Sequence, residues 1–301
     1  MSLKLGVIGF SKGNGHPYSW SSIFNGYAAD KMRDCSFPVI PQYLAEQKWP
    51  EAKIQGASVT HIWTQDYELS KHIADASLIQ NVVRRPDELI GRVDAILLAR
   101  DDAENHLEQA SPFLKSGMPI YIDKPIALSL LDLEKLYALE QFPGQIFTCS
   151  ALRYSNEMKL SPSDATSLGR VREIHAVTPK SWDRYIPHVI EPVLRILGED
   201  DEIVHFDRSI GNASGGGLTV HWQSGVITRF IAVGELASSP LSIRVMGEKG
   251  WKDLFFTDAF SAFKAALQDF VHGIINRTVN SPPGFNRKVV ELIEIGRKDV
   301  V

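Results

Sequence analysis

The sequence has little of several features that mark whole classes of protein. Its 301 residues include only two cysteines, Cys35 and Cys149, which argues against a framework of disulfides. No apolar run approaches the roughly 20 residues that a membrane-spanning helix needs. The net charge is -4, so there is no excess of positive charge to attract nucleic acid or an anionic membrane. We therefore expect neither of these partners.

The start of the chain also lacks the pattern of a secretion signal. Met1-Ser2-Leu3-Lys4 leads directly into a short strand-like segment that ends at Gly9. This segment is shorter than the apolar region of a signal peptide, and no small-residue cleavage site follows it. Together with the scarcity of cysteine, this predicts a reduced, cytoplasmic protein.

Strand-like and helix-like segments alternate through the first half of the chain. Val93–Ala99 is a continuous apolar run of the kind found in a parallel sheet that is covered on both faces. The alternation predicts an α/β fold with about six strands in a doubly wound sheet. A helix is expected over Pro17–Met32. Cys35–Gly56, which contains three prolines, is expected to be an irregular insertion.

A glycine-rich loop follows the first predicted strand, Leu5–Gly9, and precedes a helix. Such a loop aims backbone N–H groups and the helix N-terminus at an anion, commonly a phosphate. The dinucleotide fingerprint Gly-x-Gly-x-x-Gly begins at Gly9, but Ser11 and Asn14 replace its second and third glycines. A glycine-rich surface turn is the plain alternative. The loop consists of Gly9, Phe10, Ser11, Lys12, Gly13, Asn14 and Gly15.

The end of the second predicted strand, Ala57–Trp63, carries no acid. A dinucleotide domain usually has a carboxylate there to hold the adenosine ribose. This chain has Thr64 at that position and Asp66 two residues later. The missing carboxylate leaves room for a 2′-phosphate, so NAD and NADP both remain open as cofactors. Positive charge for such a phosphate is available at Lys12, Arg84 and Arg85.

The segment Asp123-Lys124-Pro125 ends a short apolar run. Pro125 cannot donate a ladder hydrogen bond, so the strand is expected to stop there. This places Lys124 at the carboxyl end of a parallel strand, where ligands bind in open α/β sheets. A lysine at such a place can transfer protons if its surroundings lower its pKa. A neighbouring carboxylate acts in the opposite direction, and a surface lysine before a turn is the plain alternative.

The second half of the chain reads as short strands separated by turns, followed by helices. Apolar residues between Phe260 and Ile274 recur at spacings of three and four, which predicts a core-facing helix. His188 and Glu191 lie three residues apart on another predicted helix and could share a metal-binding face. His16 is the only further candidate ligand, so no metal site is predicted.

With these motifs in place, the chain resembles the Gfo/Idh/MocA family of NAD(P)-dependent oxidoreductases over nearly its whole length. The resemblance is sharpest at Val7-Ile8-Gly9, at His106 after a strand and loop, and at Asp123-Lys124-Pro125. The family usually has Glu-Lys-Pro at the last of these. The resemblance implies hydride transfer between a nicotinamide and a hydroxyl or carbonyl group of a sugar, polyol or sugar derivative. It also implies that Lys124 contacts both substrate and cofactor.

The resemblance further implies a division into two domains. Residues 1–125 would form the dinucleotide-binding domain, with its last helix and strand extending to about residue 152. Residues 153–301 would form an α+β domain with an open, mostly antiparallel sheet that binds substrate and forms a homodimer or homotetramer. In the family a histidine opens a helix at the substrate, and His188 matches it. Glu191 matches a later acid, but an earlier acid is replaced by Arg184.

Roles for individual residues follow from the motifs and the resemblance. The residues expected to act in catalysis are Lys124, His188 and Tyr185. The residues expected to bind substrate are Lys124, Arg153, Trp182, Tyr185 and His188. The residues expected to hold the cofactor are Gly9, Phe10, Ser11, Gly13, Asn14, Gly15, Thr64, Arg100, Asp101, His106, Asp123 and Lys124.

Two other functions remain open at this point. The chain could be a ligand-binding or dinucleotide-binding protein that keeps the fold without turnover, because fold does not fix function. The altered positions Ser11, Asn14, Thr64 and Arg184 motivate that alternative. The chain could also be a lyase or glycosidase that uses the nicotinamide only transiently.

Overall fold

The computed structural model describes residues 2–198, 200–210, 214–235 and 237–297. The chain forms two compact units. The first comprises the described residues of Met1–Ala127, Leu131–Cys149 and Phe263–Pro282. The second comprises those of Leu128–Leu130, Ser150–Ala262 and Pro283–Val301.

The first unit is built on a six-stranded sheet in which every neighbouring pair is parallel. The strand order is β3-β2-β1-β4-β5-β6, which is the doubly wound order of dinucleotide-binding folds. The predicted fold class is therefore confirmed. The strands are β1 (Leu3–Ile8), β2 (Ala57–Trp63), β3 (Asn81–Val82), β4 (Ala95–Leu98), β5 (Ile120–Ile122) and β6 (Ile146–Phe147).

The helices are distributed along the whole chain. Those of the first half are α1 (His16–Asn25), α2 (Ala29–Met32), α3 (Val39–Ala45), α4 (Tyr67–Ala76), α5 (His106–Lys115) and α6 (Leu130–Tyr137). Those of the second half are α7 (Pro162–Leu168), α8 (Trp182–Tyr185), α9 (Pro187–Leu197), α10 (Ala259–Asn276) and α11 (Pro283–Gly296). Short 3-10 turns occupy Pro86–Leu89, Ala103–Asn105, Ala151–Arg153 and Asn156–Met158.

An aromatic cluster joins α10 to the first sheet. The rings of Tyr121 on β5 and Phe147 on β6 lie 4.8 Å apart, and Phe270 of α10 approaches both, at 5.7 Å and 5.6 Å. Trp20 of α1 stacks on Tyr121 at 4.6 Å. This burial explains why residues late in the sequence belong to the first unit. It also confirms that the apolar stripe of α10 faces a core.

Two predictions for the segment after β1 are wrong. The single helix expected over Pro17–Met32 is two helices, because Gly26 adopts a φ of 83° and ends α1. The segment Cys35–Gly56 is not irregular, since it contains α3. Pro38 precedes that helix and Pro41 lies in its first turn, where a missing N–H is tolerated. From the sequence alone, these prolines were expected to interrupt regular secondary structure.

The second unit contains a six-stranded sheet in the order β12-β11-β7-β10-β9-β8. Only β7 and β10 pair in parallel, and the other four pairs are antiparallel. The predicted open, mostly antiparallel sheet is confirmed. Its strands are β7 (Val171–Thr178), β8 (Ile203–Ile210), β9 (Gly216–Trp222), β10 (Ile227–Ala232), β11 (Ser242–Gly247) and β12 (Trp251–Phe255).

The strand order of the first sheet decides where a site can form. Neighbouring strands β1 and β4 are separated in the sequence by two other strands, so the crossover direction reverses between them. Ligands bind in such sheets at this switch point, beyond the carboxyl ends of the strands. The loop after β1, the turn after β4 and the residues after β5 all lie at this edge.

Candidate active site

The glycine-rich loop after β1 is fastened to the ends of two other strands by the side chains that replace the fingerprint glycines. Ser11 Oγ donates to Asp101 Oδ1 at 2.6 Å and accepts from the Asp101 backbone N–H at 3.1 Å. Asn14 Nδ2 donates to Asp123 Oδ2 at 2.8 Å. Ser11 and Asn14 are both buried. The two departures from the fingerprint are therefore structural links between the loop and the sheet edge.

Lys124 follows β5 at this edge and is almost completely buried, with 5% of the residue exposed. Its Nζ lies 3.8 Å from Asp101 Oδ2, while the other oxygen of Asp101 accepts from Ser11. Ser11, Asp101 and Lys124 therefore form one polar chain across the ends of β1, β4 and β5. The alternative of a solvated surface lysine is wrong for this residue.

Asp123 has a different set of partners from its neighbour. Its Oδ1 accepts from the Lys124 backbone N–H at 2.8 Å, and its Oδ2 accepts from Asn14 and lies 2.5 Å from His16 Nδ1. Burial raises the pKa of Asp123, but its interactions with His16, Lys124 and Asn14 outweigh burial and hold that pKa below its ordinary value. Asp123 is therefore an ionised carboxylate with both oxygens engaged.

His16 was not predicted as a site residue, although it completes this cluster. It is the first residue of α1, and its backbone N–H donates to Asn14 Oδ1 at 2.8 Å. Its ring stacks on Trp20, with centroids 4.8 Å apart and planes 15° apart. The only sequence signal was a histidine at the start of a helix after a glycine-rich loop. That signal does not reveal a carboxylate partner 107 residues away.

The tip of the glycine-rich loop is open at Gly13. Gly13 is exposed with a φ of 87°, and open space surrounds the position of its missing Cβ. By contrast, a Cβ on Gly9 would lie 2.6 Å from Pro17, and one on Gly15 would lie 2.5 Å from Ile40. Gly9 and Gly15 thus permit close packing of the chain on itself. Gly13 leaves room for an anion beside α1.

The first turn of α1 offers fewer backbone donors than a typical phosphate-binding helix. The His16 N–H is capped by Asn14, Pro17 has no N–H, and the N–H groups of Tyr18 and Ser19 donate to Gly15 O. Its amides are largely satisfied internally. An anion would be held by the loop tip and by the partial positive charge of the helix N-terminus.

The side chains that follow β2 make hydrogen bonds at the start of α4. Asp66 caps α4, where its side chain accepts from the N–H groups of Glu68 and Leu69. Thr64 Oγ1 donates to Asp66 O at 2.6 Å and contacts Ser70 Oγ at 2.8 Å. Thr64 and Asp66 therefore both make their hydrogen bonds at the start of α4.

Gln65, which was not predicted as a site residue, connects the end of β2 to the glycine-rich loop. Its Oε1 accepts from the Phe10 backbone N–H at 2.8 Å, and its Nε2 donates to Phe10 O at 2.6 Å. The same Oε1 accepts from Arg100 Nη1 at 3.2 Å. Phe10 and Arg100, both predicted to hold the cofactor, are thus brought together by an amide side chain.

Arg100 and His106 organise the turn after β4. Arg100 forms a two-point ion pair with Asp102, with N–O distances of 2.9 Å and 2.6 Å. His106 is fully buried, with Nδ1 3.1 Å from Ile126 O and Nε2 2.9 Å from Arg100 O. His106 therefore ties the turn after β4 to the segment after β5, an arrangement that favours a supporting role.

A cation and an aromatic ring meet at the carboxyl ends of β2 and β3. The guanidinium carbon of Arg84 lies 4.2 Å from the ring centroid of Tyr67, the first residue of α4. No carboxylate pairs with Arg84 within the described part of the chain. Its neighbour Arg85 differs, because it is paired with Asp87 at 3.1 Å.

The second unit carries its own polar cluster around His188, in the first turn of α9. His188 Nδ1 lies 2.8 Å from Ser150 Oγ, and its ring meets the ring of Tyr185 at 5.4 Å in an edge-on geometry. The Tyr185 hydroxyl accepts from Lys180 Nζ, whose ammonium also lies 4.5 Å from the Tyr185 ring centroid. His188 and Tyr185, both predicted to be catalytic, are therefore neighbours.

The other predicted substrate residues of this unit are engaged with its interior. Arg153 Nε donates to Glu191 Oε2 at 2.7 Å, and both side chains are less than a tenth exposed. Trp182 is buried, with Nε1 donating to Ile293 O at 3.0 Å. Arg153 and Trp182 thus contribute to the packing of the second unit.

In the described ranges, no three His, Cys, Asp or Glu side chains are arranged to hold a metal ion. No helix among the same residues is long and apolar enough to cross a bilayer.

Part of the chain matches a known protein family in sequence. Residues 42–150 match the model of the Gfo/Idh/MocA family, described as an oxidoreductase family with an NAD-binding Rossmann fold. The resemblance noted from the motifs is confirmed for this segment. None of the curated protein sequences matches the chain.

Solved structures of dehydrogenases resemble the chain over nearly its whole length. Myo-inositol 2-dehydrogenase from Lactobacillus plantarum has a TM-score of 0.73 at 15% identity, covering 98% of this chain and 96% of its own. Myo-inositol dehydrogenase from Lactobacillus casei, in complex with NAD(H) and myo-inositol, has 0.70 at 14%, covering 98% and 93%. UDP-N-acetylglucosamine 3-dehydrogenase from Acidithiobacillus ferrooxidans has 0.69 at 15%, covering 99% and 97%. At these identities the likeness shows the fold.

Proposed function

We propose that this chain is a nicotinamide-dependent oxidoreductase that acts on a CH–OH group of a sugar, polyol or sugar derivative. One observation carries the proposal. The buried Lys124 lies at the carboxyl end of β5, within 3.8 Å of Asp101, at the switch point of a doubly wound sheet. The family match over residues 42–150 supports the cofactor class. The nicotinamide, when bound, would accept or supply the hydride.

The first unit would hold the dinucleotide through its strand-end loops. The loop Gly9–Gly15 would hold the pyrophosphate, with Gly13 at the point of closest approach. Residues at the ends of β2 and β4, including Thr64 and Arg100, would border the adenosine half. Asp101, Asp123 and Lys124 would border the nicotinamide half, a placement supported by the position of Asp123 and Lys124 after β5 and by the contact of Asp101 with Lys124.

Lys124 would act on the reacting oxygen. Its ammonium is desolvated and partnered by Asp101, so it can donate a hydrogen bond to a carbonyl or hydroxyl oxygen of the substrate. Such a donor stabilises the negative charge that develops on that oxygen during hydride transfer. The position of Asp123 supports this role, because its carboxylate is directed at His16 and Asn14.

In the second unit we assign an acid/base role to His188 and a substrate-binding role to Tyr185. The support is the Ser150 contact, which fixes the orientation of the His188 ring. Arg153 and Trp182 would support the architecture of this unit.

The contact between Arg84 and Tyr67 favours NADP(H) over NAD(H) as the cofactor. The carboxylate that would accept from a ribose 2′-hydroxyl is missing, since Asp66 caps α4. Arg84 offers positive charge at the same end of the sheet, where an arginine accommodates a 2′-phosphate in other dinucleotide folds. Cation–aromatic contact with Tyr67 holds its guanidinium in place.

The substrate class is inferred from the structural neighbours. Their names include myo-inositol and UDP-N-acetylglucosamine dehydrogenases. Inositols, hexoses and nucleotide sugars therefore form the first panel to assay. The expected homodimer or homotetramer remains a prediction, supported by exposed apolar side chains on the second sheet at Val204, Phe206, Trp251 and Phe255.

The test starts with cofactor binding. Titration of the protein with NADH and NADPH, followed by nucleotide fluorescence, should give saturable binding well below about 1 mM. Absence of binding for every nicotinamide nucleotide would overturn the oxidoreductase proposal. Turnover is then measured with the substrate panel.

Lys124→Ala provides the second part of that test. We expect it to bind the nucleotide as the wild type does and to lose activity by about 10²–10⁴-fold, the usual contribution of a positioned acid/base group. Lys135→Ala is the matched control, because Lys135 is exposed and paired only with Asp132 on its own helix. A fully active Lys124→Ala variant would remove Lys124 from the mechanism.

A binding protein without turnover is the second candidate. The bonds from Ser11 to Asp101 and from Asn14 to Asp123 favour it, because they fasten a loop that the fingerprint keeps free of side chains. Tight nucleotide binding together with no turnover across the whole panel would support this candidate.

A further inference from the structure

His16 and Asp123 form a pair that neither the motifs nor the family resemblance predicted. His16 Nδ1 lies 2.5 Å from Asp123 Oδ2, and 16% of the His16 side chain is exposed against 1% of Asp123. The pair joins the start of α1 to the end of β5. It therefore lies at the same strand ends as Lys124.

The hydrogen bonds around Asp123 determine which nitrogen of His16 carries a proton. Asn14 Nδ2 and the Lys124 backbone N–H both donate to the carboxylate, which is ionised. An ionised carboxylate accepts hydrogen bonds and donates none. His16 Nδ1 must therefore be the donor, so in the neutral ring Nε2 carries the lone pair.

The surroundings of His16 hold the ring in this orientation. Trp20 stacks on it, and Phe263 of α10 meets it at 5.0 Å with planes 70° apart. Neither of these rings is charged, and the carboxylate that contacts His16 is that of Asp123, at the end of β5. Nε2 has no hydrogen-bond partner among the residues described for this unit.

This geometry is that of an oriented general base. In acyl-transfer enzymes a buried aspartate bonded to Nδ1 fixes the tautomer, stabilises the imidazolium and leaves Nε2 to exchange a proton.

We propose that His16 is an acid/base group of this enzyme and that Asp123 is its positioning partner. The inference rests on the proposed oxidoreductase function. In the oxidative direction the hydroxyl O–H bond breaks and its proton passes to His16 Nε2. The C–H bond breaks with both electrons, which leave as hydride to the nicotinamide, and the carbonyl double bond forms. The reverse reaction returns the proton to oxygen.

The first test needs no cofactor and no substrate. Nitrogen-15 NMR of the histidine rings, with His16→Asn used to assign the signal, reports which nitrogen of His16 is protonated. We expect the proton of the neutral ring to be on Nδ1, the nitrogen that faces Asp123. A neutral His16 ring with its proton on Nε2 would overturn the proposal.

The second test separates catalysis from structure. His16→Asn keeps an N–H that can reach Asp123 but removes Nε2. We expect kcat to fall by about 10²–10⁴-fold and one limb of its pH profile to disappear. The nucleotide Kd should change by less than about threefold. His72→Asn is the control, because His72 is a partly buried histidine of the same unit whose Nδ1 meets the Tyr18 hydroxyl at 2.6 Å.

The possible failures are distinguishable. If His16→Asn keeps the wild-type kcat and pH profile, His16 has a structural role only and the proposal is overturned, while the oxidoreductase function stands. If the wild-type protein binds no nicotinamide nucleotide, the proposed function fails and the catalytic role falls with it. The NMR result still establishes the tautomer in that case.

Discussion

The two units each bury a carboxylate near a histidine, but they pair it differently. In the first unit Asp123 accepts from His16, Asn14 and a backbone N–H. In the second unit Glu191 accepts from Arg153 Nε and from the Ser150 N–H, each at 2.7 Å. There the histidine, His188, contacts the Ser150 hydroxyl.

The choice of cationic partner separates a fixed pair from a titratable one. Arginine stays charged at any pH that the fold survives, so the cation of the Arg153–Glu191 pair is fixed. Histidine is a side chain that can exchange a proton, so the bond between His16 and Asp123 joins a carboxylate to a ring capable of proton transfer. The Arg153–Glu191 pair therefore fits an architectural role, and the His16–Asp123 pair fits the proton transfer proposed above.

Glu191→Ala tests the architectural half of this comparison and should have the largest effect on stability. Removing one partner leaves the Arg153 guanidinium buried without its carboxylate, which costs about 3–5 kcal/mol of unfolding free energy. Urea unfolding followed by tryptophan fluorescence measures the loss. The double variant Arg153→Met, Glu191→Leu should recover most of it, because it leaves no buried charge. Equal losses in the single and double variants would contradict a fixed ion pair.

Asp123→Asn tests the other pair, His16 and Asp123, through the pH dependence of the unfolding free energy. The folded-state pKa of Asp123 is lowered, so its ionised form stabilises the fold above the unfolded pKa of about 3.9. That contribution is lost as pH falls through the folded pKa. We expect the variant to be less stable than the wild type by about 1–3 kcal/mol at pH 6. The difference should shrink at low pH.

Urea unfolding at pH 6 and at pH 3 provides this measurement. Asp87→Asn serves as the control, because Asp87 is exposed and paired with the exposed Arg85. Its stability should follow the wild type at both values of pH. A gap between Asp123→Asn and the wild type that widens in acid would show that the carboxylate is not the stabilising form.

The fold was predictable because its signals are local. Alternating strand and helix segments, the apolar run that became β4 and the stop at Pro125 each depend on a few adjacent residues. The partnership of Asp123 with His16 was not predictable, because it joins residues 107 positions apart that only the order of the strands brings together. The sequence located Lys124 but could not identify Asp101 as its partner.

Some side chains could serve two roles, and this limited how much of the site could be predicted from the sequence. Thr64 and Asp66 stood where a ribose ligand was expected, yet both serve the start of α4. Gln65 between them reaches the loop instead. An N-cap and a ribose ligand need the same residue types at nearly the same place, so only the backbone path decides between them.

A contrast between two arginines, Arg153 and Arg84, gives the smallest expected effect, which is on NADPH binding. Arg153 is buried against a carboxylate, whereas Arg84 is exposed and rests on Tyr67. An arginine that no acid neutralises keeps its full charge for a ligand. Arg84→Ala should therefore weaken NADPH binding about tenfold, equivalent to about 1.4 kcal/mol, and leave NADH binding unchanged.

The neighbouring residue supplies the control for this prediction. Arg85→Ala removes the same charge from the same segment, but Arg85 is already paired with Asp87. It should alter NADPH binding much less than Arg84→Ala does. Equal losses in the two variants would mean that the phosphate senses only the general positive field of the segment. Equal weakening of NADH and NADPH by Arg84→Ala would place Arg84 against the adenine or ribose and would withdraw the preference for NADP(H).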